Sequence, residues 1–469
     1  MGKRAASDNK GGLLALPTVA ELEDTLTVKK HQRHAAEAEV SKQFVIEKRT
    51  FDNQYAEIYS HRLKILRPVV AQAAERKWGK DKIPVCEKLL QIKDQQECVV
   101  IGTLYKHMPL IRRVLDDFKE KSIPVPPPQN YTSDKDSLVL EDESGRTTLV
   151  GGDHLGISSL VTGIVVAVRG TSTTGGEFEA KEILFPGVAD VPEPPSSKGE
   201  DKYVAILSGA NVGGIDNDTL SLQLAIDFLS GQLGTEEQQR MMSNLQRVIV
   251  AGNSLSKLED STEFAAIQTN GKVSLRQQRH IVTPLRELDG LFTQLSSSVE
   301  VDVMPGSGDP SNYTYPQQAL NGCLLPMSTS NKSLNLSTNP YSCVINGVHF
   351  LGTSGQNVEN IQRYVAGDDA MDIAKNTLMW RHLAPTAPDQ LACYPFHSND
   401  PFVMTSSPNV YFIGNADKFE TTTVEDGRGG KVTVVMVPSF TKEKKIVLVN
   451  CNTMEVTTMS FQSSYKGLN

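Results

Sequence analysis

Apolar residues recur along this chain with two periods, and the changes of period mark its parts. From about residue 18 to 80 the reading is helical, with no Gly or Pro between Val19 and Arg67. Positions 51, 55, 58, 59, 62 and 63 fall on one face, and all but Arg62 are apolar, which predicts a buried stripe. Pro68 predicts a boundary or kink. Cys98–Tyr105 is rich in β-branched residues and predicts a strand. An amphipathic helix is predicted at Leu110–Lys119, then a Pro-rich loop at Ile123–Pro128. Short strands are predicted at Ser137–Glu141, Arg146–Val150, Ser159–Val168 and Glu177–Leu184, with a hairpin turn at Glu143-Ser144-Gly145. So many short strands within about a hundred residues predict a small barrel.

Residues 189–200 hold three prolines and no aromatic residue, which predicts a linker. Beyond it strands and helices alternate. Strands are expected at Tyr203–Leu207, Val248–Ala251 and Val299–Val303. Helices are expected at Leu220–Leu229, Glu236–Leu245 and Arg276–Leu295. That alternation predicts a layered α/β domain. Strand-like stretches at Lys431–Val437, Lys445–Val449 and Met454–Ser460 are expected to complete its sheet. The fold class is therefore α/β plus β, in five parts. These are an N-terminal extension (1–45, partly disordered or helical), a helical segment (46–82), a barrel (83–188), the linker, and the layered domain (201–469).

Composition narrows the functions. The 469 residues are 39% hydrophobic and 22% charged, and the mean hydropathy is −0.28, as in a soluble globular protein. Net charge is −8. Residues 1–100 hold 18 basic and 14 acidic side chains, and the remainder 29 and 41. An acidic body disfavours autonomous tight binding of nucleic acid and favours protein partners. The six cysteines form no CxxC pair, so a zinc ribbon is not expected, and their sparse use fits a reducing compartment. No secretion signal or membrane span is read, and an intracellular location is expected.

In open α/β folds chemistry gathers on the loops after strands. Here those loops are Ser208–Gly214, Gly252–Leu255, Met304–Pro310 and Gly414–Asp417. The strand-to-Gly pattern resembles the calcineurin-like metallophosphoesterases, whose loops carry carboxylates, imidazoles and an amide around two cations. The ligands are depleted here. Gly209 and Asn211 stand for Asp and His, and Asn253 and Ser256 for two Asp. Ser307 and Gly308 stand for Asn and His, leaving Asp309. His382 matches a lone His, and Asn415 and Asp417 stand for two more. No catalytic residue, cofactor or metal is expected from such a set. His397 and Asp400 near Cys393 read as an ordinary polar loop, Gly427–Gly430 as a hairpin tip, and Lys29–His34 as a solvated helix face.

Longer stretches carry a second resemblance. Arg49–Tyr59, Gly102–Lys106, Leu140–Arg146, Val161–Gly170, Asp302–Gly306, Asp309-Pro310, Leu351–Asn357 and Leu378–Asp389 resemble the B-subunit family of the alpha, delta and epsilon replicative DNA polymerases, most closely its delta branch. The likeness runs from about residue 45 to the C-terminus. Ser307-Gly308 departs from it, since the family carries a bulkier pair before the acid. The resemblance implies an OB-fold barrel packed against a calcineurin-like phosphoesterase domain that has lost its metals. It implies a non-catalytic subunit in the nucleus. Its implied partners are the cysteine-rich C-terminal domain of the catalytic polymerase subunit and a third subunit, with DNA met weakly or through the complex and no membrane contact. Two other functions fit the residues less well. An active metal-dependent phosphoesterase needs ligands the loops lack. A single-strand-binding barrel needs aromatic platforms in a basic groove, where strand 98–105 and the residue after it offer Tyr105 and Lys106.

Overall fold

The computed structural model describes residues 33, 38–50, 52–81, 83–111, 128–152, 155–195, 199–257, 275–367 and 369–462. Nearly all of the helix expected at Leu110–Lys119, most of the Pro-rich loop, Phe51 and most of Lys29–His34 lie outside them. Among the described residues, the strands assemble into three six-stranded sheets.

Among the described residues, no helix precedes Ala56. Ala38–Val40 (β1) is a strand pairing antiparallel with Tyr341–Ile345, and Phe44 is buried and stacked on Phe402. Tertiary pairing here overrides helix propensity. Ala56–Trp78 (α1) then continues past Pro68 as one helix. Pro68 and Lys64, whose carbonyl loses its partner, are both exposed, so water can satisfy that carbonyl. Ile58, Leu63, Leu66, Val70, Ala74 and Trp78 bury one face on both sides of the proline and hold the helix continuous. Tyr55, expected in the stripe, is exposed.

The third sheet is a barrel. Its strands are Val85–Cys86 (β2), Glu97–His107 (β3), Ser137–Glu141 (β4), Arg146–Val150 (β5), Val165–Ser172 (β6) and Phe178–Leu184 (β7). They follow the order β3-β4-β5-β7-β6, and β6 pairs back onto β3 to close a five-stranded barrel, with β2 on the edge of β3. This closure is what an OB fold requires. The strand expected from Ser159 starts only at Val165. Residues 157–159 form a 3-10 turn, and Gly163 sits at φ 93°, a left-handed conformation that interrupts extension. Val100, Leu104, Leu138, Leu140, Val166 and Phe178 fill the barrel, while Val99 and Ile101 on the other face of β3 meet α1.

The rest is a sandwich of the other two sheets. In chain order come Tyr203–Leu207 (β8), Thr219–Leu229 (α2), Glu236–Ser243 (α3), Leu245–Ala251 (β9), Leu275–Ser296 (α4), Glu300–Met304 (β10) and Leu334–Leu336 (β11). Tyr341–Ile345 (β12), Val348–Thr353 (β13), Gln356–Gln362 (α5), Ala370–Met379 (α6) and Val410–Ala416 (β14) follow. The last strands are Glu420–Glu425 (β15), Lys431–Pro438 (β16), Lys445–Asn450 (β17) and Val456–Ser460 (β18). One sheet runs β11-β10-β9-β8-β17-β18 and the other β1-β12-β13-β14-β16-β15. The C-terminal strands therefore do not complete a single sheet. A helical turn at Phe440–Glu443 and a positive φ at Lys444 carry the chain from one sheet to the other.

Val204, Ile206, Ile249 and Met304 face Phe350, Phe412, Val435 and Val437 between the sheets. Each such side chain contributes about 1.5–3 kcal/mol on burial. Helices α2 and α4 cover one outer face, and α5 and α6 the other. The layer under α5 and α6 is continuous with the barrel core in a single apolar cluster. The expected linker is partly fastened. Ala189 is fully buried, Ser407 N donates to Asp190 O, and Asn409 Nδ2 donates to Pro192 O.

Candidate functional site

Turn geometry explains the residue types on the strand-end loops. Gly209 (φ 64°), Asn211 (44°), Asn253 (52°) and Asn415 (59°) are left-handed, a region that Gly and Asn tolerate best. The loops lace together through their backbones. Gly209 N donates to Gly252 O at 3.0 Å and Asn211 N to Asn253 O at 3.0 Å. Asn253 Oδ1 accepts from Gly308 N at 3.0 Å. Asn415 Nδ2 reaches Ala251 O at 3.2 Å and Ser354 O at 2.9 Å. Asn211 Nδ2 donates to Thr441 Oγ1. Asp309 is buried and accepts three backbone N–H groups, from Leu255 at 2.8 Å, Gly306 at 2.8 Å and Ser254 at 3.2 Å. Burial raises its pKa, and those three bonds work in the opposite direction.

The structure thus gathers Gly209, Asn211, Asn253, Ser307, Gly308, Asp309 and Asn415, with Ser256 beside Gly214. Asp417 is exposed and paired with Lys442. These residues do not fit a pair of divalent cations. Apart from Asp309 the gathered groups are neutral, and most are engaged with one another. An aspartate at 209 would have no room, because a Cβ there would lie 2.2 Å from Ser439 Oγ and 2.8 Å from Asn415 Oδ1. Among the described residues, no group of three or more His, Cys, Asp or Glu is placed to hold a metal. The sequence reading missed Ser208, Ser354, Asn339 and Gln317. Asn415 N donates to Ser208 Oγ, and Asn339 Nδ2 lies within hydrogen-bond distance of both Ser354 Oγ and Gln317 Oε1. Small polar residues after strands carry no periodic signal that would have marked them.

His382 belongs to a different cluster, centred on Arg62. Arg62 occupies an apolar-stripe position of α1 and is fully buried. Its Nε donates to Asp400 Oδ2 at 2.8 Å. Its Nη1 donates to Gly163 O in the barrel and to Pro385 O in the sandwich, and Nη2 donates to Ala387 O, each at 2.9 Å. A single guanidinium therefore joins helix, barrel and sandwich with charge-assisted bonds. Asp400 Oδ2 also accepts from His382 Nε2 at 2.9 Å, while His382 Nδ1 accepts from Ala384 N at 3.1 Å, which sets the neutral tautomer. Burial works to raise the Asp400 pKa, but the Arg62 charge and the hydrogen bonds hold it well below the ordinary carboxylate range. Burial, then the Arg62 charge, pushes His382 down to about 4.

The unfolded chain therefore binds a proton at residue 382 below about pH 6.5, while the fold does not until about pH 4. Stability from this residue is complete above pH 6.5 and falls with acidification, by about 2 kcal/mol at pH ~5. Asp400 adds its own loss only below the ordinary carboxylate pKa. Urea titrations at several pH values should show this slope, and His382→Gln should flatten it. His349, also depressed by burial, leaves a residual slope of the same sign.

A second fastening lies at the C-terminal end of α5. Buried Lys106 donates to Tyr364 O at 2.8 Å. Asn130 Nδ2 reaches Val365 O at 2.8 Å, Tyr131 stacks on Tyr364, and Ala366 N donates to Ser158 O. Lys106, a candidate nucleic-acid contact by sequence, is thus committed to joining barrel and sandwich.

The comparisons agree with this architecture. Residues 54–183 match the family model described as the OB-fold domain of the DNA polymerase delta subunit. Residues 204–421 match the B-subunit model of DNA polymerase alpha/epsilon. The DNA polymerase delta small subunit of Arabidopsis thaliana is 39% identical over 428 residues, covering 90% of this chain and 95% of that protein. That of Oryza sativa is 40% identical, over 88% of this chain and 94% of its own length. That of Saccharomyces cerevisiae is 30% identical, over 89% and 91%. With likeness at this level running through barrel and sandwich alike, the chain belongs to the family of DNA polymerase delta small subunits.

Proposed function

We propose that this chain is a non-catalytic accessory subunit of a nuclear DNA polymerase delta. In this reading it bridges the cysteine-rich C-terminal domain of the catalytic subunit and a third subunit during replication and repair synthesis. The sandwich is read as a calcineurin-like phosphoesterase domain without its metal pair. The observation that carries the reading is the strand-end cluster, where Gly209, Asn253 and Asn415 are neutral and hydrogen-bonded to Gly252, Gly308 and Ser354 of neighbouring segments. A fold that keeps the loops of a hydrolase but not its ligands retains surface and rigidity as its means of acting. The Arg62 and Lys106 fastenings support this, since a bridge between two partners needs its own two domains at a set angle.

Co-expression with the cysteine-rich tail of a B-family polymerase catalytic subunit should yield one stoichiometric particle, and adding the third subunit should enlarge it. The isolated chain should hold no stoichiometric Mn²⁺ and hydrolyse no phosphoester. Two bound manganese ions per chain with turnover, or a tail that elutes separately, would overturn the proposal.

A further inference from the structure

A serine or threonine followed by proline occurs twice in this chain, at Thr283-Pro284 and Ser407-Pro408. Ser407 is buried, its N–H donates to Asp190 O, and the residue three places on is Val410. Thr283 is exposed on α4, and the residue three places on is Arg286, also exposed. An acceptor hydroxyl, a proline directly after it and a base at the third position form the pattern that proline-directed Ser/Thr kinases read. The position after the acceptor offers no partner for a backbone N–H, so proline alone loses nothing there, and the base meets an anionic pocket.

Helix α4 has two unlike parts. From Leu288 on it is anchored. Leu288, Leu291, Phe292 and Leu295 are buried in the sandwich core, and buried Asp289 accepts from the N–H groups of Met327 and Ser328. Val282, by contrast, is 39% exposed. Pro284 lies against the loop after β8, where a Cβ on Gly213 would come within 2.4 Å of its ring. It also lies inside the helix and has no N–H to give the His280 carbonyl, so α4 is already one bond short there. The same residues suit a helix that begins at Pro284, since proline is favoured at the first helical position and threonine caps well just before it. Opening α4 as far as Thr283 leaves every buried contact named above in place. It also presents the acceptor in the extended form that a kinase cleft binds.

We propose that Thr283 is a phosphorylation site for a proline-directed kinase, and that its phosphate shifts α4 from a helix starting at Leu275 to one starting at Pro284. In the transfer, Thr283 Oγ1 attacks the γ-phosphorus of ATP. The new O–P bond replaces the bond to the bridging oxygen, ADP leaves, and the hydroxyl proton passes to solvent. The product carries about two negative charges at residue 283. In the continuous helix the N–H groups of Leu285 and Arg286 are bonded one turn back, and Glu287, four residues on, repels the phosphate. In the shortened helix those two N–H groups and the Arg286 guanidinium can bind it, at the positive end of the helix dipole. The switch changes the surface beside the loop Ser208–Gly214, and it does not depend on the accessory-subunit reading.

The test uses the full chain, ATP and a purified cyclin-dependent kinase with its cyclin. Mass spectrometry of the intact chain and of its peptides should find a single phosphate, on Thr283. Thr283→Ala and Pro284→Ala should each take up none. Arg286→Ala should slow incorporation about tenfold, as the loss of one charge-assisted contact would. Alanine favours helix at all three positions, so Tm should hold or rise in each variant. In the phosphorylated chain the backbone amides of residues 276–283 should exchange with deuterium about tenfold faster or more, while those of 288–296 keep their rate. No phosphate on the chain, phosphate elsewhere in place of Thr283, equal incorporation in Pro284→Ala, or unchanged exchange over 276–283 after phosphorylation would each overturn the proposal.

Discussion

Changing Arg62→Met should destabilise the chain by about 3–5 kcal/mol, the range for breaking a buried ion pair from one side. Three carbonyls lose their donor, and Asp400 is left charged in a dry interior beside a neutral His382. The loss is not one of volume, because methionine fills most of the stem. Denaturant titration of both proteins measures it. The double change Arg62→Met with Asp400→Leu should recover much of the loss, since removing both charges removes the stranded carboxylate. Scattering should show the single variant to be more extended, because Arg62 is one of the two polar fastenings described between barrel and sandwich. Unchanged stability in Arg62→Met would mean that the apolar layer and the Lys106 fastening carry the interface without it.

Gly163→Ala should have an effect of the same order, about 3 kcal/mol or more, by a different route. Gly163 has φ 93°, and a Cβ there would sit 2.0 Å from Pro385 O and 2.5 Å from Arg62 Nη1. The Pro385 contact crosses the domain junction and the Arg62 contact meets the guanidinium that fastens it, so relief requires the sandwich to move away from the barrel. Gly176→Ala separates the two components. Its φ is 82°, but a Cβ meets nothing within 4 Å, so it carries the backbone cost alone, about 1 kcal/mol. Calorimetry of the pair should show the larger loss at 163. Equal losses at the two glycines would assign the effect to conformation rather than to the junction.

Much of this molecule was legible from periodicity. β4, β5 and β8 begin and end where alternation or an unbroken apolar run does, and α2 and α4 differ from expectation by a residue at most at each end. The failures share a cause. Residues 38–50 look helical because their propensities are local, yet their bonds go to Tyr341–Ile345, Gln318 and Tyr394, nearly three hundred or more residues away. Pro68 looks like a breaker, but the faces buried on either side of it outweigh one missing hydrogen bond. The strand-end loops were found because Gly and Asn punctuate them. Arg62, by contrast, looked like an interruption in an apolar stripe, and its partner Asp400 lies 338 positions on in a loop read as ordinary.

The residues in order, taken alone, determined the two kinds of folding unit, the scarcity of charge on the strand-end loops, and the acidic body. Each of these depends on composition or on spacing within a single element. Tertiary structure alone decided that His382 joins a domain junction instead of the loop cluster, that the C-terminal strands divide between two sheets, and that Lys106 faces a helix end and not solvent. Those outcomes depend on which distant groups share a low-dielectric interior. There an unpaired charge or amide is expensive, so the partner that satisfies it sets its role.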